Sequence, residues 1–141
     1  MRLRVLAAML AFACLSVTDA SAASLRVAPV MLDVTGGAAT TTLKVWNTDK
    51  APVKIQVRVF LWTRDGNEDV LTPTKDVVVS PPLSTLKPGA ENLIRIVRVA
   101  DTPVTGREAY RVLVDQLPDP KAKKAGVVSI LVRHAIPLYF E

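Results

Sequence analysis

The sequence predicts an all-β fold, a seven-stranded sandwich, on three observations: a long stretch of two-residue alternation, turn chemistry between the apolar runs, and no segment that keeps a helical period. The alternation is clearest in Val53-Lys54-Ile55-Gln56-Val57-Arg58-Val59-Phe60-Leu61-Trp62, where the odd positions are all apolar and three of the five even ones are polar. Successive side chains of a strand point to opposite faces, so this run reads as one strand with one face in a core.

The other strands follow from the same pattern, less perfectly kept, over residues 25–34, 41–47, 76–80, 92–99, 110–117 and 127–136. Between the runs stand Gly36-Gly37, Asp49-Lys50-Ala51-Pro52, Asp65-Gly66-Asn67, Pro81-Pro82, Lys87-Pro88-Gly89 and Pro118-Asp119-Pro120. Glycine supplies the positive φ that tight turns need, and proline presets the other turn angle. Pro29 and Pro137 fall inside the first and last strands. Proline has no N–H for a ladder, so bulged or edge stretches are expected at both. The run Lys121-Ala122-Lys123-Lys124 reads as a flexible loop before the last strand.

Residues 1–22 are laid out as a secretory signal. Arg2 and Arg4 precede an apolar stretch from Val5 to Leu15, and Ala20-Ser21-Ala22 makes the cleavage pattern. That stretch is too short to cross ~30 Å of hydrocarbon, so no membrane insertion is expected. Cleavage would take 22 of the 141 residues and leave 119, a common size for one domain. Arg2, Arg4 and Asp19 would go with the signal, so 18 basic and 13 acidic residues become 16 and 12, a net charge of +4.

A mildly basic secreted chain without an aromatic–basic cluster gives no reason to expect nucleic acid as a partner. Cys14 is the only cysteine and lies in the signal, so the mature chain would have no disulfide, no thiolate ligand and no cysteine nucleophile. His134 is the only histidine and cannot make a conventional zinc site alone. No serine stands in a nucleophile-elbow or S-x-x-K context. No catalytic residue, metal or other cofactor is expected, and the chain does not read as an enzyme.

Three stretches carry a resemblance. The first is Val79-Ser80-Pro81-Pro82-Leu83-Ser84-Thr85-Leu86-Lys87-Pro88-Gly89, followed by Ile94-Arg95-Ile96; the second is Glu108-Ala109-Tyr110-Arg111-Val112-Leu113-Val114-Asp115-Gln116-Leu117-Pro118; the third runs from Ile130 to Phe140. In this order and spacing they resemble the N-terminal domain of the PapD-like periplasmic pilus chaperones, over essentially all of the mature chain. The resemblance implies an immunoglobulin-like β-sandwich over residues 23–141. Family members carry a second such domain; here the sequence stops at Glu141, where it would begin, so that domain is expected to be absent.

The resemblance also implies an activity. Such a domain caps pilus or spore-coat-like subunits in the periplasm by lending them its seventh strand, which is donor-strand complementation, and delivers them to an outer-membrane usher. A subunit that lacks its last strand exposes an apolar groove and unpaired backbone, an edge that invites aggregation. A lent strand satisfies both. The donor would lie in Val127-Val128-Ser129-Ile130-Leu131-Val132, with Val128, Ile130 and Val132 on one face.

In the best-known members an arginine in the first strand and a lysine late in the seventh grip the subunit's terminal carboxylate. Those positions hold Pro29 and Pro137 here. Prolines near these places resemble the divergent, archaic branch that serves spore-coat-U-like pilins. The carboxylate anchor candidates are then Arg111 and Arg133, because a guanidinium fork can make two parallel charge-assisted bonds to one carboxylate. Arg111 stands in the otherwise apolar run Tyr110-Arg111-Val112-Leu113-Val114, a place for a charge that faces a cleft or solvent. Arg95 and Arg98 read as surface or structural residues. Two other readings stay open: a generic secreted immunoglobulin-like binding or adhesion domain, and a pilin-like structural subunit. Against the second, a pilin lacks the seventh strand found here.

Overall fold

The computed structural model describes residues 25–122, 125–126 and 129–141. The expected signal, and Val128 of the expected donor strand, lie outside them. Ten strands are present among the described residues, with one 3-10 turn, Pro120–Ala122, and no α-helix.

The first sheet contains β1 (Leu25–Ala28), β3 (Thr40–Asn47), β8 (Glu91–Arg98) and β6 (Val77–Ser80), in the order β1-β3-β8-β6. The second is built on β4 (Val53–Asp65), which pairs antiparallel with β9 (Glu108–Gln116) along one side. Its other side is shared by β7 (Leu83–Leu86), against Val53 to Gln56, and β5 (Glu68–Pro73), against Phe60 to Asp65. Beyond β9 come β10 (Arg133–Phe140), antiparallel, and then β2 (Leu32–Val34), parallel to β10.

The fold class is the expected one, while the strands are divided differently. The single first strand is two: β1 lies in one sheet and β2 in the other, with Pro29 between them. The bulge expected at Pro29 is thus the point where the chain changes sheets. Pro137 stands inside β10, and the pairing of β10 with β2 begins at the next residue, Leu138. The last strand occupies Arg133–Phe140 instead of 127–136.

The core is what the alternation dictates. Val53, Ile55 and Val57 are buried on β4, Leu43 and Val45 on β3, Ile94 and Ile96 on β8, Val112 and Val114 on β9, and Ile136, Leu138 and Phe140 on β10. Each side chain of this size contributes ~1.5–3 kcal/mol on burial. Tyr110 meets Phe140 edge to face, their centroids 5.9 Å apart.

A polar bolt crosses between the sheets. Arg98, at the end of β8, donates from Nε and Nη2 to the two carboxylate oxygens of Glu108 on β9, each at 2.8 Å, and Tyr110 donates its hydroxyl to Glu108 at 3.0 Å. The Arg98 bond holds the Glu108 carboxyl below its usual range, and burial followed by the Glu108 contact pushes the Tyr110 hydroxyl up to about 12. Arg98 is therefore structural, as its place in the sequence suggests. His134, partly buried, lies with Nε2 at 3.0 Å from the Leu25 carbonyl. A carbonyl only accepts, so the ring donates there and ties β10 to β1.

Candidate functional site

The second sheet turns its odd β4 residues to the core and its even ones outward, and the pairing carries that outward face across three strands. Phe60 pairs with Arg111 and Arg111 with Pro137; Gln56 pairs with Asp115 and Asp115 with Arg133. Both anchor candidates therefore stand on one face of one sheet, at its two ends.

At one end, Asp115 is clamped. Arg58 Nη2 donates to Asp115 Oδ2 at 2.6 Å, and Arg133 Nε donates to Oδ1. The Asp115 side chain is 10% exposed, against 61% for Arg133. Burial raises the Asp115 carboxyl, and the bonds from Arg133 and Arg58 outweigh that and hold it below its ordinary value. Arg133 thus already has a counter-charge. Beside the clamp an open concavity of about 400 Å³ is bordered by Gln56, Leu117, Leu131 and Val132.

The clamp predicts a measurable effect. Asp115→Asn keeps the shape and removes the charge shared by the two arginines, and should destabilise the domain by about 1–3 kcal/mol in urea denaturation near neutral pH. A carboxylate whose folded pKa is depressed contributes fully above its unfolded pKa, and the contribution disappears as pH falls through the folded value. The difference between the two proteins should therefore persist from about pH 7 to about pH 5 and close only below the ordinary carboxylate value of 3.8. Closure already between pH 7 and 5 would show that the charge on Asp115 is not responsible.

At the other end, the Arg111 guanidinium carbon stands over the Trp62 ring, 3.6 Å from its centroid. Its Nη1 is buried and has no hydrogen-bond partner among the described residues. The neighbouring cations are all engaged: Arg64 pairs with Asp69, and Arg107 pairs with Asp33 and Glu141 while stacking on Tyr139 at 3.8 Å. Arg111 makes no ion pair among the described residues. Phe60, Trp62 and Tyr139 give this end an apolar, aromatic character, with the Trp62 and Tyr139 rings 6.3 Å apart.

Trp62 was not singled out in the sequence, yet a signal was present. Of the five even positions in the alternating run, Phe60 and Trp62 are the two that break the polar pattern, and together with Tyr139 they build this patch.

The donor candidates lie just before β10. Gln116 N–H donates to the Val132 carbonyl at 2.9 Å, and Val132 N–H donates to Gln116 Oε1 at 3.3 Å. Val132 also packs against the edge of the core. Upstream, residues 129–131 belong to no strand, and Ile130 is 82% exposed.

Two sheets of antiparallel and mixed pairing around one apolar core, without an α-helix among the described residues, define an immunoglobulin-like β-sandwich. Residues 24–141 match the family model described as "Pili and flagellar-assembly chaperone, PapD N-terminal domain", and the chain belongs to that family. No curated protein sequence matches it. Among solved structures it is similar to a chain of the chaperone–tip adhesion subunit pre-assembly complex CsuC–CsuE, from archaic chaperone-usher Csu pili of Acinetobacter baumannii. The two share 27% identity with a TM-score of 0.72, over 84% of this chain and 56% of that one. A chain of the Salmonella enterica SafA pilin–SafB chaperone complex is similar at 22% identity and TM-score 0.67, over 85% and 55%. The E. coli chaperone DraB is similar at 24% and 0.63, over 83% and 54%. The chain spans about half the length of each.

Proposed function

We propose that this domain is a periplasmic pilus-assembly chaperone domain that caps subunits by donor-strand complementation for an outer-membrane usher. The observation that carries this reading is the segment before β10. Ile130 is 82% exposed and Leu131 45% exposed, on a stretch that belongs to no strand but continues directly into one. Large aliphatic side chains left in water at a strand's entry suit a segment that completes its burial in a partner's groove. Membership of the PapD family and likeness to a chain of an archaic chaperone–subunit complex support the same reading. On it, the preceding 22 residues direct secretion, Val128, Ile130 and Val132 enter the groove, and the domain does no catalysis.

The test is co-production in a periplasm. A pilus subunit encoded in the same gene cluster should be degraded when made alone and should co-purify intact with the full-length protein. A subunit that survives equally well without this protein, and does not co-purify, would favour a generic binding or adhesion domain instead.

A further inference from the structure

We infer that Trp62 is a positioning residue for the carboxylate anchor Arg111, fixing the guanidinium so that its N–H edge faces the terminus of the bound subunit. This rests on the proposed capping function and assigns a role within the same site. Stacking occupies the face of a guanidinium and leaves its in-plane N–H groups free, and those are the groups that make parallel bonds to a carboxylate. With its carbon 3.6 Å over the ring, the Arg111 guanidinium is already held against the indole in the unbound domain. Its Nη1 has given up solvent without gaining a hydrogen-bond partner among the described residues. That nitrogen is out of an arriving anion's reach, whereas Nε and Nη2, which are not buried in this way, form the edge open to a carboxylate.

The platform is itself held. Tyr139 meets the Trp62 ring at 6.3 Å, tilted by 56°. The Asp69 carboxylate is drawn below its usual range by Arg64 and then by the indole, although the indole N–H does not reach hydrogen-bond geometry. Asp69 has its own cation in Arg64, at 3.2 Å, so it does not take Arg111 from an incoming carboxylate. An arginine held in this way is ordered before binding, and the freedom it would otherwise lose is already gone.

The probe is an acetylated hexapeptide of alternating valine and threonine with a free C-terminal carboxylate, compared with its C-terminal amide. Both are titrated by 15N NMR into the full-length protein and its Trp62→Phe, Trp62→Leu, Arg111→Ala and Trp62→Leu/Arg111→Ala variants. The acid should bind the wild type more tightly than the amide, and Arg111→Ala should erase that preference. Trp62→Leu should weaken the acid roughly 3- to 30-fold while leaving the amide unchanged. Trp62→Phe should restore most of the loss, and Trp62→Leu should cost nothing further in the Arg111→Ala background. Equal weakening of acid and amide by Trp62→Leu, or no weakening, overturns the positioning role while leaving the anchor intact. An acid preference that survives Arg111→Ala, or is absent in the wild type, overturns the anchor itself. The wild type alone gives an independent check if Trp62→Leu does not fold. The acid should move the indole resonance of Trp62 and not that of Trp46, which donates to Glu91; an unmoved Trp62 resonance overturns the proposal.

Discussion

Ile130→Asp is expected to abolish recovery of a chaperone–subunit complex while leaving the free domain folded. The two halves of that result come from the same number. At 82% exposure the side chain contributes little to the free domain, so a charge there should change its stability by roughly half a kcal/mol or less. In a subunit groove the same carboxylate would be stripped of water without a partner, at a cost of several kcal/mol. The ~1.5–3 kcal/mol from burying the isoleucine would also be lost. Ile130→Val should retain capture, because it keeps an apolar branched side chain. Circular dichroism checks the fold and affinity co-purification checks the complex. Wild-type yield of complex with folded Ile130→Asp would remove the donor assignment.

Arg111→Ala carries the second large effect. An arginine that anchors a carboxylate in a partly desolvated place should cost binding ~2–5 kcal/mol when truncated, since the partner's charge is left unpaired. Its stacking on Trp62 adds a smaller cost to the free domain, about 0.5–1 kcal/mol. Capture of the subunit should therefore fall far more than the melting temperature. Arg95→Ala is the control: Arg95 stands on β8, in the other sheet, exposed between Thr42 and Ser80. Equal capture by wild type and Arg111→Ala would exclude Arg111 and leave Arg133, which would first have to share or leave Asp115.

What the sequence made legible was governed by burial. β4 was readable because Val53, Ile55 and Val57 alternate cleanly between core and solvent. β5 was not, because all six of its residues are exposed, and a strand without a buried face leaves no alternation to detect. β7 is four residues long and follows a proline pair, so turn chemistry masked it. The last strand was placed too early because residues 127–132 are the more strand-like in composition, whereas Pro137 interrupts the pattern of the segment that forms β10. Arg111 was legible as a charge out of place in an apolar run. The pairing of Arg133 with Asp115 was not, because it depends on hairpin register across 18 residues, which the local sequence does not state.

The way β10 is held has a mechanical consequence. Eight of its residues face β9 and the last three also face β2, with Glu141 N–H reaching the Val34 carbonyl at 3.0 Å. Hydrogen bonds between antiparallel strands lie across the strand direction. A pull along β10 therefore loads its rungs side by side, so they must yield together, whereas a pull across it would open them one at a time. Ahead of Arg133, the described residues 129–131 belong to no strand, and Val132 bonds with Gln116. Whatever tugs on the chain there meets slack first and a stiff mount behind it.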